Sequence, residues 1–414
     1  MIVPRLWTWL RRGLLVFFGL PIAVGVGMSV VDSYRRRGRK PKPFPISTPR
    51  TVQVGDGEIT TYTYGQDLYD DMLEAINGAT RTIMFETYIW KSDEVGHQFK
   101  NALIAAAARG VAVHVIYDRF ANLVVSPRFK RFPHTLKVLH YPIWTAGWRV
   151  LDLSRQGRDH RKILVVDDGV GFVGGYNIGA AYATEWRDTH IRVTGPAVAE
   201  LERAFADFWN LFRRRLIGQT LQPLLVDAKP SWEPTVRFQR NIPRLSMYPI
   251  RSMYLEAINR ASTNIWVTQA YFLPDQDFVE ALTGAARRGV DVRLLLPIKS
   301  NHIVADWISR GYFSQMLEAG VRILRFRDAM VHAKTATVDG TWVTVGTANI
   351  DRLSLQGNYE INVEVISTDL ARVMEDIFLL DESNSLLLSQ DEWDARDVHR
   401  KFTEMLLQPL RRFL

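Results

Sequence analysis

The chain has 414 residues and a formal net charge of +8, so it is long enough for two domains with appendages. A basic balance of this size draws a protein toward phosphate-bearing partners, nucleic acid or anionic lipid, and does not choose between them. There is no cysteine, which excludes disulfides, thiolate metal sites and a cysteine nucleophile.

Residues 13–31 contain no charged side chain, a run long enough to cross a bilayer as a helix. Trp7 and Trp9 precede it as interfacial anchors. No small-x-small cleavage site ends the run, so it reads as a retained anchor rather than a signal peptide. Arg35, Arg36, Arg37, Arg39, Lys40 and Lys42 follow it, against Arg5, Arg11 and Arg12 before it. The heavier cluster predicts the C-terminal side in the cytoplasm. Pro41, Pro43, Pro45 and Pro49 mark a linker. The expected organisation is an anchor and basic linker at 1–44, a first domain at 45–227 and a second at 228–414.

The two domains are read from an internal duplication. The string LEAIN stands at 73–77 and again at 255–259; ALIAAAARGVAV from Ala102 echoes ALTGAARRGVDV from Ala281. Each half predicts helix, strand, helix, strand and a further apolar strand, with Gly110 and Gly289 closing the alanine-rich helices. Strands alternating with helices imply an α/β sandwich in each half. Residues 119–157 form a long insertion in the first half, mixing Phe129, Phe132, Tyr141, Trp144 and Trp148 with Arg128, Lys130 and Arg131. It reads equally as a lid over a lipid entrance or as a locally packed surface loop. The tail, 401–414, spaces Met405, Leu406, Leu410 and Phe413 against Arg411 and Arg412, as a membrane-surface helix or one packed on its own domain.

The duplicated strands carry the chemistry. His160, Lys162, Asp167 and Asn177 recur as His332, Lys334, Asp339 and Asn349 at identical offsets, and Asp188 and Glu360 each lie twenty-eight residues after a histidine. A lone H-x-K means little; two copies sharing five matched positions require a polar partner to justify the set. An anionic phosphodiester needs its charge offset, which Lys162, Lys334, Asn177 and Asn349 can do as donors to phosphoryl oxygens. One histidine would attack and the other protonate the leaving oxygen. Asp188 and Glu360 would accept from the second ring nitrogens and fix tautomer and orientation. Asp167 and Asp339 complete the candidate catalytic set; because they close their strands, they read as holding the turn and the lysine. A lysine beside each histidine repels divalent cations, so neither a metal nor a cofactor is expected. Glu86, Tyr88, Gln269 and Tyr271 end the preceding strands, as cleft or packing residues.

These residues resemble the signature of the phospholipase D superfamily, H-x-K-x4-D-x6-G-[GS]-x-N, through His160, Lys162, Asp167, Gly174, Gly175 and Asn177, and through His332, Lys334, Asp339, Gly346, Thr347 and Asn349. Thr347 stands where glycine or serine is usual. The resemblance covers residues 45 to 414. Within the superfamily, the N-terminal apolar span, the paired halves and the stretch GTANIDRLSLQGNYEINVEV are most similar to bacterial cardiolipin synthases. Asp351, Arg352 and Ser354 match the extended signature in the second copy alone. The resemblance implies two α/β sandwich domains about a pseudo-twofold axis, with His160 as nucleophile and His332 as general acid, then base. It further implies transfer of a phosphatidyl group from phosphatidylglycerol to a second lipid, giving cardiolipin and free glycerol, at the bacterial inner membrane with no obligatory protein partner. The alternatives are a hydrolytic phospholipase D, a nuclease of the same superfamily and a silent membrane scaffold. The anchor and the single two-copy chain speak against nucleic acid, and two complete motifs against the scaffold.

Overall fold

The computed structural model describes residues 42–143, 157–214, 221–227 and 235–407. The expected anchor at 13–31, Trp144, Trp148 and the end of the tail lie outside them. Among the described residues no helix is long and apolar enough to cross a membrane.

Two eight-stranded sheets organise the chain. The first has the order Arg50–Val54, Gly57–Tyr62, His190–Thr194, Val170–Gly174, Ile163–Val166, Thr82–Thr87, Ala112–Asp118, Lys137–Tyr141. The second has the order Val236–Asn241, Glu360–Ile366, Trp342–Gly346, Lys334–Val338, Asn264–Gln269, Asp291–Pro297, Arg322–Phe326, Ser385–Leu388. In each, the last helix-connected strands run parallel while the strand after H-x-K turns back antiparallel. The central strands, such as ILVV and TATV, are buried along their whole length, as sheets covered on both faces require.

The halves repeat their local devices. Asp93 caps the Glu94–Ala108 helix by accepting from the Gly96 N–H, and Asp275 caps Gln276–Arg287 by accepting from that of Phe278. Both helices end at a glycine in the left-handed region, Gly110 at φ +95° and Gly289 at φ +92°, where a side chain would be strained. The outer helices Gly65–Gly78 and Glu94–Ala108 cover the first sheet, and Pro249–Arg260 and Gln276–Arg287 the second. Between the sheets, the helices Val198–Phe212 and Thr368–Ser383 share one continuous apolar core with strands of both. The entering segment is also shared: Phe44 packs with Leu295, Leu324 and Phe378, and Arg50 donates to Asp376 at 2.8 Å.

One expectation changes, and two readings left open are narrowed. Each half has one more parallel strand than the pattern suggested, Lys137–Tyr141 and Arg322–Phe326. The first lies inside the supposed lid: Phe129 and Tyr141 are buried, Phe132 packs against the same core, and Lys130 Nζ donates to the Asn122 carbonyl at 3.0 Å. The described part of the insertion is therefore structural. The start of the tail forms the helix Val398–Leu407, with Leu407 buried against Leu273 and Ile308.

Candidate active site

Each histidine is fixed by the backbone of the opposite half. The His160 N–H donates to the Tyr359 carbonyl at 3.0 Å, beside the bridge joining Asp159 to Tyr359. The His332 N–H donates to the Arg187 carbonyl at 2.6 Å, where Met330–Val331 pairs with Trp186–Arg187. Tyr359 immediately precedes Glu360, and Arg187 immediately precedes Asp188. The register of these short pairings therefore delivers each acid to the histidine of the other copy. His160 Nδ1 lies 3.0 Å from Glu360 Oε2, and His332 Nδ1 lies 2.6 Å from Asp188 Oδ2. The equal spacing in sequence leaves open which histidine each acid serves; the structure gives each acid to the histidine of the other copy.

This arrangement fixes the proton inventory. A carboxylate at Nδ1 holds the proton there and leaves Nε2 as the atom a ligand meets. Burial depresses both histidines, His332 to about 3, which favours the neutral imidazole in each. Lys162 and Lys334 are buried and donate to the carbonyls of His160, at 2.5 Å, and of His332. Burial lowers Lys162 to about 7 and Lys334 to about 8. The charge of each lysine reaches both histidines, so the two copies form a single electrostatic site. Burial alone would raise Asp188, but Lys334 and His332 outweigh it and hold the carboxyl below its usual range.

The glycine position of the motif differs between copies for a steric reason. A Cβ on Gly175 would lie 2.1 Å from Asp188 Oδ1. In the second copy Thr347 fits and donates to Glu360 Oε2 at 2.6 Å. Asn177 accepts from the Ile89 N–H through its side-chain oxygen, whereas the corresponding oxygen of Asn349 is buried without a partner among the described residues, an open polar atom of the kind a ligand satisfies.

Not every candidate reaches this cluster. Asp167 and Asp339 stand at the far ends of their strands, both at positive φ. Asp167 accepts from the N–H groups of Thr80, Arg81 and Thr82, at 2.7–2.8 Å. Asp339 accepts from those of Ser262, Thr263 and Asn264. They lock the sheet turns and do not meet the histidines. Of the four strand-end residues, Tyr88 stands edge-on to His160 with ring centres 4.7 Å apart, and Tyr271 to His332 at 6.2 Å. Glu86 instead pairs in the core with Arg161, whose side chain faces away from its neighbours His160 and Lys162. Gln269 bonds the Ile350 N–H. Asp351 caps the Arg352–Gln356 helix, and burial raises its carboxyl to about 7.

Sequence reasoning missed Trp186, edge-on to His332 at 5.1 Å, and Arg187, held by a bidentate buried pair with Asp381 at 3.0 and 2.7 Å. The pair W-R immediately before Asp188 was the available signal. Among the described residues no group of three or more His, Asp or Glu side chains is placed to hold a metal ion.

The chain is similar to known proteins over most of its length. A family profile described as "Cardiolipin synthase, PLD-like domain" matches residues 72–209 and 254–381. A cardiolipin synthase of Staphylococcus aureus is 31% identical over 362 residues, covering 86% of this chain and 73% of that protein. One of Geobacillus kaustophilus is 33% identical over 359 residues, covering 84% and 71%. Among solved structures, a phosphatidylserine synthase of Haemophilus influenzae superposes with a TM-score of 0.67 at 14% identity, over 88% of this chain and 95% of that one, a likeness of fold.

Proposed function

We infer what this chain does from the fact that it belongs to the phospholipase D-like family of cardiolipin synthases; it is an enzyme of that type, a phospholipid phosphatidyltransferase. We propose that it makes cardiolipin from two molecules of phosphatidylglycerol. The observation that carries the mechanism is the exchanged pairing of two histidines with Glu360 and Asp188 across two buried lysines.

In the proposed cycle His160 Nε2 attacks the donor phosphorus, and the bond from phosphorus to the headgroup oxygen breaks. His332, protonated as the anion enters and partnered by Asp188, gives its Nε2 proton to the departing glycerol. A hydroxyl of the second phosphatidylglycerol then surrenders its proton to His332 and attacks the phosphorus; the phosphorus–nitrogen bond breaks and cardiolipin forms. Lys162, Lys334, Asn177 and Asn349 hold the non-bridging oxygens, where charge builds up. The assignment of His160 as nucleophile follows the family resemblance. Asp167 and Asp339 serve this site only by holding its strands.

We also propose the three-part organisation, 1–44, 45–227 and 228–414, with the first part anchoring the enzyme in a bacterial inner membrane and the catalytic halves on its cytoplasmic side. Protection of those halves from protease added outside intact cells supports that orientation; their digestion reverses it. The central test is purified protein in vesicles of labelled phosphatidylglycerol, with products separated. Cardiolipin and free glycerol are expected. Predominant phosphatidic acid leaves a hydrolase, and cleavage of nucleic acid without lipid turnover removes both readings.

A further inference from the structure

A second cavity adjoins the site on the His332 side. It has a volume of about 800 Å³ and opens at the C-terminal ends of the parallel strands Asn264–Gln269, Asp291–Pro297 and Arg322–Phe326, the end of such sheets where ligands bind. Tyr271 is its shared wall, edge-on to His332 on one side and lining the cavity on the other. Four cations, Lys299, Arg310, Arg325 and Arg396, line it against two acids, Asp306 and Glu392. That balance favours an anion.

Two of the arginines have donors to spare. Arg396 lies with its guanidinium 3.0 Å from the centre of the Trp393 ring; its contact with Glu404 is long, at 3.7 Å. Its Nε and Nη1 are buried with no hydrogen-bond partner among the described residues; Arg325 reaches Glu392 through Nη2 at 3.4 Å, and its Nε is likewise without a partner among the described residues. Buried donors without acceptors are costly, and an incoming phosphodiester supplies what they lack. The surroundings also suit a lipid. The helix Val398–Leu407 packs on Ile303–Ser309, which lines the cavity, and exposes Val398, Phe402 and Met405 at helical spacing.

We propose that this cavity is the subsite for the headgroup phosphate of the second, acceptor phospholipid, held by Arg396 and Arg325, with the Val398–Phe402–Met405 stripe beside its acyl chains. The proposal rests on the transfer reading above: two phosphates joined by one glycerol bridge must lie in adjoining sites when cardiolipin forms. Lys162 and Lys334 hold the donor phosphate; the acceptor phosphate needs separate cations, and the cavity supplies them on the side of the histidine that takes the acceptor's proton.

The test compares two acceptors for one donor, a phosphatidyl ester of p-nitrophenol: phosphatidylglycerol, which carries a phosphate, and free glycerol, which does not. Arg396→Gln and the double variant with Arg325→Gln are expected to raise the half-saturating phosphatidylglycerol concentration by about tenfold or more while leaving transfer to glycerol within about twofold. Arg396→Lys, which keeps the charge, should recover part of the loss. Equal loss with both acceptors, or loss with neither, overturns the subsite. Calorimetry with glycerophosphoglycerol, the deacylated headgroup, judges it independently of turnover: two sites are expected in the wild type and one in the double variant, and one site in both rejects it. Two binding sites without phosphatidyl transfer to either acceptor would instead reject the transfer reading and keep a two-phosphate enzyme.

Discussion

Asp188→Asn is the most discriminating single change. It keeps shape and removes charge, and the exchanged pairing assigns its effect to His332 rather than to the histidine of its own copy. Both side chains are buried and 2.6 Å apart. At an effective dielectric near 20, unit charges at this separation attract by about 6 kcal/mol; the remaining amide dipole and relaxation reduce the loss to about 3–5 kcal/mol, or roughly 100- to 5,000-fold in rate. That loss falls on the step in which His332 carries a positive charge, protonation of the leaving glycerol. A phosphatidyl ester of p-nitrophenol, whose leaving group needs no proton, should bypass it: release of nitrophenolate in a pre-steady-state burst should stay within about tenfold of wild type. Glu360→Gln, which disturbs the orientation of His160, should depress the burst with either substrate. If the activated ester rescues Glu360→Gln and not Asp188→Asn, the assignment of nucleophile and acid is reversed. If it rescues neither, the pairs do not divide the labour in this way.

Other outcomes follow from the same geometry. Gly175→Ala should cost activity comparably to Asp188→Asn, because its Cβ meets that carboxylate at 2.1 Å, while Thr347→Val removes one hydroxyl from Glu360 and should cost only about tenfold; a silent Gly175→Ala would refute the steric reading. Anion affinity should decline with pH: Lys162 and Lys334, lowered to about 7 and 8, bind an anion best when charged, so sulfate binding followed by calorimetry should be tightest below pH 7 and weaken as pH rises past 8. By the same sign, the empty enzyme should gain stability as pH rises from 7 toward the ordinary lysine value. Asp167→Ala should cost about 1–3 kcal/mol of stability through the loss of its backbone bonds, read as a lower melting temperature, with kcat of the folded enzyme within about threefold; a thousandfold loss of kcat at unchanged melting temperature would make it a chemical participant.

Much of this was legible in the sequence because the duplication repeats both pattern and spacing. Gly110 and Gly289, the alanine-rich helices and the apolar strands after each H-x-K predicted elements that the structure contains. The pairing of acids with histidines was not legible: an offset along the chain fixes how far apart two residues are in sequence, while the partner is chosen by short backbone pairings such as Trp186–Arg187 with Met330–Val331. The aromatic insertion stayed open between lid and packed loop for a related reason. Phe129 and Tyr141 beside basic residues suggest a lipid contact, but a strand on the outer side of the sheet, Lys137–Tyr141, makes the same residues core. Glu86 and Gln269 sat at the correct strand ends, yet their side chains were claimed by Arg161 and by the Ile350 backbone.

The exchange of acids between copies has the form of an isologous contact, in which residue i of one body meets j of the other and j meets i. Two separate copies of one half would build such a contact as a homodimer, and both histidines would then necessarily have the same acid, the same glycine and the same surroundings. A tandem chain escapes that constraint. One histidine here has an aspartate under a glycine, the other a glutamate bonded by a threonine, and among the described residues an arginine-lined cavity adjoins the first. A reaction that asks its two histidines for opposite roles, and its two lipids for different seats, gains from being encoded in tandem: each half can drift toward its own task while the reciprocal contacts keep them from separating.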